Sequence, residues 1–264
     1  MKTMIVISDL HCGHLVGLTP PGWWSSEEER PKYRHIQEEC AKWFIDEIES
    51  VKKNRRIDIM VSNGDLVDGA GGRNCGRELL DGKLESQIKM AKYWIDFIGA
   101  RQKVFIKGTP YHTSVEGLHV EEVIAGHYKE KAHTHEWLEV SGIKFDFKHK
   151  INSSSVPHGR FTAPARAMNW ANLWAKTKYT PECDFIIRSH VHYFGAGQQI
   201  TGDKIQTFMT TPALQAMGSE YGALQCEGLV DFGFMVFTFD KGKVSWEIKF
   251  PFIQAQATQT RVLV

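Results

Sequence analysis

Five short polar segments of this chain contain carboxylates and imidazoles, and each follows an apolar run. They are residues 8–11, 63–69, 108–112, 148–149 and 189–192. Carboxylate oxygens and histidine nitrogens are common ligands of divalent metal ions in proteins. If the apolar runs are β-strands, these side chains lie at strand ends and can converge. The segments therefore predict a site for a pair of divalent ions.

Each motif also has a simpler explanation when it is considered alone. Asp9 and His11 could be a turn-capping carboxylate beside a surface histidine, and the histidines of residues 189–192 could be partly buried and bonded to the backbone. Gly64 followed by Asp65 is more specific, because glycine lets the backbone approach an ion closely. The complete set, in this order and after five apolar runs, favours metal binding.

The first half of the chain alternates between strand and helix patterns. Short apolar runs predict strands at residues 4–7, 57–61 and 103–106, and apolar steps of three and four predict helices at residues 36–51 and 84–98. This order implies parallel strands with ligand sites beyond their carboxyl ends. All the candidate metal ligands fall at such positions.

The second half favours hairpins. Residues 137–147 and 232–250 each alternate around a turn and predict β-hairpins, while residues 163–178 predict a helix and residues 185–188 a strand. Residues 13–35 contain prolines and two tryptophans and predict a long loop near the first motif. No linker divides the chain, so residues 1–264 are expected to form a single domain.

The order Asp-x-His, Gly-Asp-x-x-Asp-Gly, Gly-(x)-His, His, His-x-His resembles the calcineurin-like metallophosphoesterases, in particular small phage-encoded ones. The resemblance extends from Asp9 to His192. It implies an α/β fold: a four-layer sandwich of two mixed β-sheets packed face to face and flanked by helices. It also implies a phosphoester hydrolase that uses a hydroxide bridging two metal ions.

The resemblance assigns the ligands of the two ions. Asp9, His11 and His192 would hold the first ion, His149 and His190 the second, and Asp65 both. Asp68 would be an outer carboxylate. Mn²⁺ is the expected ion, with Zn²⁺, Fe or Ni²⁺ as alternatives.

The third motif departs from the family pattern. The usual segment is Gly-Asn-His, whereas this chain has Gly108-Thr109-Pro110-Tyr111-His112. Thr109 occupies the place of the ligand asparagine, and its hydroxyl is a poorer ligand than an amide carbonyl. His112 is the candidate general acid. It could instead be a metal ligand or a residue of the pocket wall.

Several side chains are candidates for substrate binding. Arg73, Arg77, His158 and Arg160 are expected near the metals, where guanidinium groups could pair with phosphate oxygens. Solvated loop positions are the alternative for each of them. Trp23 and Trp24 could stack on a base or anchor their loop. His14 is expected in a solvated loop, although it could line the pocket, and Arg188 could be structural.

Composition limits the location and the partners. The net charge of +1 provides no broad field for duplex nucleic acid. Five cysteines without Cys-x-x-Cys spacing favour free thiols in a reducing compartment. The chain has neither a signal-like segment nor an apolar run of about 18 residues. A cytoplasmic protein without a membrane partner is expected, in the host cell if it is phage-encoded.

The favoured function is a phosphodiesterase that acts on nucleic-acid ends or small nucleotide diesters. Local basic and aromatic residues favour a diester over a monoester. A phosphomonoesterase with the same metals is the alternative. A binding scaffold that has lost hydrolysis is a third hypothesis, supported only by the altered third motif.

Overall fold

Two mixed β-sheets form the centre of the structure, which is a computed structural model describing residues 1–70, 76–112, 119–154, 156–202, 204–219 and 229–251. The strands are β1 (Lys2–Ile7), β2 (Ile59–Asn63), β3 (Gln102–Ile106), β4 (Ala132–His133), β5 (Glu136–Val140), β6 (Ile143–Phe147), β7 (Phe185–Arg188), β8 (Gly195–Thr201), β9 (Lys204–Thr210), β10 (Phe234–Asp240) and β11 (Lys243–Lys249). The α-helices are α1 (Pro31–Asn54), α2 (Leu84–Ile98), α3 (Val120–His127) and α4 (Thr162–Lys176).

The first sheet has the strand order β11-β10-β1-β2-β3-β4, and the second has the order β5-β6-β7-β9-β8. Pairing is parallel from β1 to β4, as the strand–helix alternation predicts, and β10 and β11 add antiparallel strands at one side. In the second sheet β6, β7 and β9 are parallel. Both sheets are therefore mixed.

The side chains of β1 show why the sheets form layers. Met4 and Val6 face the second sheet and pack with Phe145, whereas Ile5 and Ile7 face the helices on the other side. Successive residues of a strand point to opposite faces, so a strand buried on both faces is apolar throughout. β1 has this pattern, with all five residues from Thr3 to Ile7 buried.

Helices cover the outer faces of both sheets. Phe44 of α1, Trp94 of α2 and Ile124 of α3 belong to the core on the outer face of the first sheet. Met168 of α4 packs against Ile186 on the outer face of the second sheet. The predicted four-layer α/β sandwich is thus confirmed.

Most predicted elements are confirmed with small shifts at their ends. α1 begins at Pro31 rather than near residue 36, because proline is well accommodated in the first turn of a helix. β2 lies two residues later than predicted. The predicted hairpins are present as β5–β6 and β10–β11. The structure adds α3, β4 and the β8–β9 hairpin, whose glycine-containing first strand has low β propensity.

The cysteines and the helices bear on the expectations about compartment and membrane. Cys12, Cys40 and Cys183 are buried free thiols, as predicted for the cysteines that the structure describes. In the same part of the chain, no helix combines the length and the apolar character needed to span a membrane.

Candidate metal centre

The polar motifs lie at the carboxyl ends of strands from both sheets. Asp9 follows β1 and Asp65 follows β2 in the first sheet, while His149 follows β6 and His190 follows β7 in the second. Parallel strands present their carboxyl ends at one edge of a sheet. The two sheets bring these edges together, so the motifs meet between them.

Two groups of potential donors form there. Asp9, His11 and His192 make the first group and Asp65, His149 and His190 the second, and within each group the donor atoms lie within 4.8 Å of one another. In the first group, Nε2 of His192 is 3.3 Å from Oδ1 of Asp9. In the second, Nε2 of His149 is 3.0 Å from Oδ2 of Asp65.

The two groups are contiguous. Asp65 also forms a group with His11 and His112 within the same 4.8 Å limit. Nε2 of His149 lies 3.9 Å from Oδ1 of Asp9. The carboxylate of Asp65 therefore faces donors of both groups, as a bridging ligand must.

Five of the predicted ligands have left-handed backbone conformations. The φ angles are 52° at Asp9, 44° at His11, 52° at Asp65, 75° at His190 and 55° at His192. A non-glycine residue with positive φ costs on the order of 1–3 kcal/mol and persists where the surrounding structure enforces it. The backbone at this centre is therefore held in conformations that aim the side chains inward.

Two glycines permit the close approach of these segments. A Cβ atom at Gly64 would lie 2.5 Å from Nδ1 of His149, and one at Gly108 would lie 2.0 Å from Oδ1 of Asp65. Real Cβ atoms cannot come this close. Any larger residue at either position would displace a predicted ligand, in agreement with the glycine argument from the sequence.

The donor set fits a metal ion on chemical grounds. Oδ1 of Asp9 and Nε2 of His149 are buried and form no hydrogen bond of good geometry, although Nε2 of His192 lies 3.3 Å from the first and Oδ2 of Asp65 lies 3.0 Å from the second. Buried polar atoms are nearly always bonded, because an unpaired one costs several kcal/mol. A cation between the carboxylates and imidazoles would satisfy both atoms.

Charge at the centre shifts the pKa values of its residues. Burial alone would raise the pKa of Asp9, but His192 and His149 lower it to about 2. Burial alone would lower the pKa of His149, but Asp65 and Asp9 raise it to about 9. The carboxylates thus strongly favour a positive charge beside them, which a divalent ion provides.

Hydrogen bonds behind the ligands orient them. Nδ1 of His11 donates to Oδ1 of Asp68 at 3.0 Å, and Nδ1 of His149 donates to the carbonyl oxygen of Asn63 at 2.6 Å. Each bond leaves Nε2 directed at the centre, the arrangement typical of metal-binding histidines. Asp68 has the outer position that the resemblance implies.

Thr109 contacts Asp65 closely. Its backbone N–H donates to Oδ1 of Asp65 at 2.6 Å, and its hydroxyl lies 3.0 and 3.1 Å from the two carboxylate oxygens. Thr109 therefore supports the predicted bridging carboxylate with two donors. Its predicted role as a ligand atom stays a prediction.

His112 reaches the centre despite the two extra residues of its motif. A 3₁₀ turn over Pro110–His112 brings the ring to 4.6 Å from that of His11. Nδ1 of His112 lies 2.7 Å from the carbonyl oxygen of Asp68, and Nε2 lies 3.9 Å from Oδ2 of Asp65. Because the turn takes up the extra Pro-Tyr pair, the ring of His112 still lies beside the predicted ligands.

The expectation for His14 is wrong. The residue is only 5% exposed, and the backbone N–H of Val16 donates to its Nδ1. Its Nε2 lies 3.9 Å from the buried carboxylate of Glu78. Glu121 is a further buried acid, whose pKa is raised by burial and by the charge of Asp65. No sequence pattern distinguishes these positions from exposed ones, because their burial depends on distant segments.

The predicted substrate residues differ in their placement. Arg77 and His158 are exposed, and Arg73 lies outside the described residues. Arg160 is half-buried, with its guanidinium carbon 4.6 Å from the ring centroid of Tyr193, the residue after His192. Of the four, Arg160 therefore has a direct structural connection to the centre.

Two further residues have structural roles. Trp24 donates from its indole nitrogen to the carbonyl oxygen of Thr19, and Trp23 and Trp24 pack against the core of the first sheet. These contacts favour the loop-anchoring alternative. Arg188 is buried and donates to the carboxylate of Asp146, as expected for a structural residue.

Known proteins resemble this chain in structure but not in sequence. No model of a protein family matches the sequence, and no curated protein sequence matches it. The structure is similar to Vps29 of Entamoeba histolytica complexed with Zn²⁺, at 14% identity and a TM-score of 0.45 over 94% of this chain and 99% of that one. A predicted phosphoesterase of Streptococcus pneumoniae has 10% identity and a TM-score of 0.36 over 94% and 98%. The sulfate thiohydrolase SoxB of Thermus thermophilus has 11% identity and a TM-score of 0.41 over 94% and 56%.

The two mixed sheets flanked by helices form the four-layer sandwich that the resemblance to the calcineurin-like metallophosphoesterases implies. The carboxylates and histidines at the strand ends form groups able to hold metal. The three similar structures have TM-scores of 0.36 to 0.45, which are too low to indicate a shared activity. The chemistry of the centre must be inferred from its side chains.

Proposed function

We propose that the protein is a metal-dependent phosphodiesterase with two divalent ions. Asp9, His11 and His192 would hold one ion, and His149 and His190 the other, with Asp65 shared. The observation that carries this proposal is the pair of contiguous donor groups, each within 4.8 Å. The buried Oδ1 of Asp9 and Nε2 of His149 support it, because a cation between the carboxylates and imidazoles would satisfy both atoms.

The donor chemistry suggests the kind of ion. Mixed carboxylate and imidazole donors without thiolates suit Mn²⁺, Fe, Ni²⁺ or Zn²⁺, and we expect Mn²⁺. Two such ions, when bound, supply an activated water and polarise the phosphoryl oxygens. A nucleophilic serine or cysteine is then unnecessary.

The remaining residues hold the ligands and move a proton. Thr109 and Asp68 fix the orientations of Asp65 and His11 by hydrogen bonds. His112 is the proposed general acid. Its Nδ1 donates to the carbonyl oxygen of Asp68, which leaves Nε2 directed towards the centre. In the imidazolium form Nε2 also carries a proton, which it would give to the leaving oxygen.

Surroundings of the centre favour a diester over a monoester. A diester has two substituents on phosphorus, so the site must accommodate a second group beyond the phosphate. Arg160 lies beside the residue that follows His192, and Phe161 next to it is 47% exposed. A cation and an exposed aromatic ring together suit a nucleotide substituent.

The proposal is tested by comparing bis-p-nitrophenyl phosphate with p-nitrophenyl phosphate as substrates of the Mn²⁺-loaded protein. We expect faster hydrolysis of the diester, about two bound ions by elemental analysis, and no activity in EDTA. Asp9→Asn is the matched inactive variant. Faster hydrolysis of the monoester would establish the phosphomonoesterase alternative. Two bound ions without hydrolysis of either ester would establish the binding scaffold.

A further inference from the structure

A long basic segment begins at the end of β6, the strand that leads to His149. Residues 147–181, here called the basic segment, contain six lysines and arginines and no aspartate or glutamate. The whole chain has a net charge of only +1, so the rest of it is net negative. Positive charge is thus concentrated in one part of the chain, a pattern typical of a site for a polyanion.

The cations of the basic segment are available for binding. None of them forms an ion pair with a carboxylate among the residues that the structure describes. Lys148, Lys150, Arg166, Lys176 and Lys178 are exposed. The first acid after the segment, Glu182, pairs with Lys204 instead.

The same segment exposes aromatic rings. Trp170 and Trp174 of α4 are 57% and 51% exposed, and Tyr179 beyond the helix is 84% exposed. Residues four apart in a helix lie on one face, one turn from each other. The rings of Trp174 and Tyr179 also lie edge to face, with centroids 6.2 Å apart, and exposed apolar side chains grouped in this way are typical of a surface that binds a ligand or partner.

The opposite face of α4 holds the helix firmly on the second sheet. Met168 is fully buried there, and the side chains of Asn172 and Gln206 exchange two hydrogen bonds of 2.7 and 2.9 Å. The exposed rings are therefore presented by a fixed helix, with little ordering required when a ligand binds.

The basic segment connects directly to the metal centre. Lys148 and Lys150 flank the predicted ligand His149, and Arg160 lies on Tyr193 next to His192. Because β6 and β7 are parallel, α4 between them begins at the edge that carries the centre and runs away from it. At 1.5 Å per residue, Trp170 and Trp174 lie roughly 12 and 18 Å along the helix from Thr162.

We propose that the basic segment binds a single-stranded nucleic acid and leads it to the metal centre. Lysines and arginines would contact the backbone phosphates, while Trp170 and Trp174 would stack on bases, the combination typical of single-strand binding. Cleavage of the bound strand rests on the proposed function, whereas binding does not. The substrate class is thus a polynucleotide rather than a small diester.

Other occupants fit the segment less well. A duplex hides its base faces and offers nothing for the rings to stack on. A second copy of this chain, paired through a two-fold axis, would set the unpaired cations of one copy against those of the other. A membrane surface would match the charge and the rings, but its phosphodiesters lie in a plane and supply no strand that could follow α4 to the centre.

Binding is measured by fluorescence anisotropy with 5′-fluorescein-labelled dT20 in EDTA, so that hydrolysis cannot occur. We expect Trp170→Ala/Trp174→Ala to weaken binding by about 25-fold or more, because each stacked ring contributes about fivefold or more. Lys176→Gln/Lys178→Gln should lower the slope of log affinity against log salt by about 1.4, at about 0.7 per phosphate contact.

The matched control is Ile200→Ala/Ile205→Ala, a paired set of 75% and 62% exposed apolar residues outside the basic segment. We expect it to bind dT20 like the wild type, and thermal unfolding should show all variants folded. The proposal is overturned if the wild type does not bind dT20. It is also overturned if the tryptophan variant binds dT20 as tightly as the wild type. Tryptophan-dependent binding to phosphatidylserine vesicles without binding to dT20 overturns it as well. A strand bound in this way without any esterase activity would refute the proposed function alone.

Discussion

Two clusters of histidines around a buried aspartate lie in this protein, and they differ in how closely their charges are paired and in their backbone conformations. In the first, Asp146 accepts hydrogen bonds at 2.8 Å from His135 and at 2.7 Å from Arg188. All three residues have ordinary backbone conformations, and both partners compensate the buried charge. This cluster is complete within the protein.

The candidate metal centre is the second cluster, and its polar atoms are less well paired. Asp9 and His149 keep unpartnered buried atoms, and five predicted ligands have positive φ angles. Unpaired polar atoms and strained backbone both cost stability, so they are retained where a function requires them. Burial of charged groups therefore does not identify a functional site, whereas poorly paired buried atoms together with a strained backbone point to one.

The largest effect on the candidate metal centre is expected for Asp65→Asn. Loss of the shared carboxylate should lower diesterase activity on the order of 10⁴-fold, about 5 kcal/mol in the barrier, and reduce bound metal from about two ions to one or none. Hydrolysis rates measure the loss of activity, and elemental analysis measures the number of bound ions. Asp146→Asn is the control and should keep its metal. Full activity with two ions in Asp65→Asn would refute the assignment of the site.

Asp146→Asn should instead lower stability. Removing one partner of a buried ion pair leaves Arg188 uncompensated, and the free energy of unfolding should fall by about 3–5 kcal/mol. Urea unfolding of the metal-free protein at pH 7 measures this. In the same assay Asp9→Asn should lower stability by less, because the histidine nitrogens that hold the pKa of Asp9 at about 2 lie 3.3 Å or more from its Oδ1, against 2.7 and 2.8 Å for the partners of Asp146. Equal losses in the two variants would mean that the clusters do not differ as described.

The effect of Asp146 depends on pH in a defined direction. Burial alone would raise the pKa of Asp146, but the bonds and charges of His135 and Arg188 lower it overall. A carboxyl group with a lowered folded pKa stabilises the fold above its unfolded value of about 3.9 and loses this effect as the pH falls through the folded pKa. The stability difference between wild type and Asp146→Asn should therefore be constant near neutral pH and shrink below about pH 4.

His112→Ala tests whether the centre carries a general acid. An alkoxide leaving group needs a proton and a nitrophenolate does not, so alkyl diesters should slow by about 10²–10³-fold and aryl diesters far less. Metal content should stay near that of the wild type. A fall in metal content with equal losses for both substrates would make His112 a ligand. Unchanged rates for both alkyl and aryl diesters, with unchanged metal content, would show that His112 takes no part in the mechanism.

The smallest expected effect is that of Asp68→Asn. This residue bonds to a predicted ligand, His11, rather than to the ion, so metal affinity should fall by about 10- to 100-fold with the fold intact. Titration with Mn²⁺ followed by calorimetry measures the change. Unchanged affinity would show that His11 keeps its orientation without Asp68.

Much of the fold and of the candidate site could be predicted from the sequence. Alternating strand and helix patterns place Asp9 and Asp65 at strand ends, and parallel pairing brings such ends to one edge. The buried His14, Glu78 and Glu121 could not be predicted. Each lies outside the regular strand pattern, and its burial depends on contacts between segments far apart in the chain.

Residue type and local periodicity are properties of neighbouring positions, so they predict which donors are present, in what order, and which strands they follow. Which buried charges are compensated depends on contacts between distant segments. Asp146 and Asp9 are both aspartates of buried segments, yet Arg188 and His135 surround one while the other keeps an unpartnered oxygen. Partners of this kind come from segments brought together by the two sheets, and no local pattern encodes their distances.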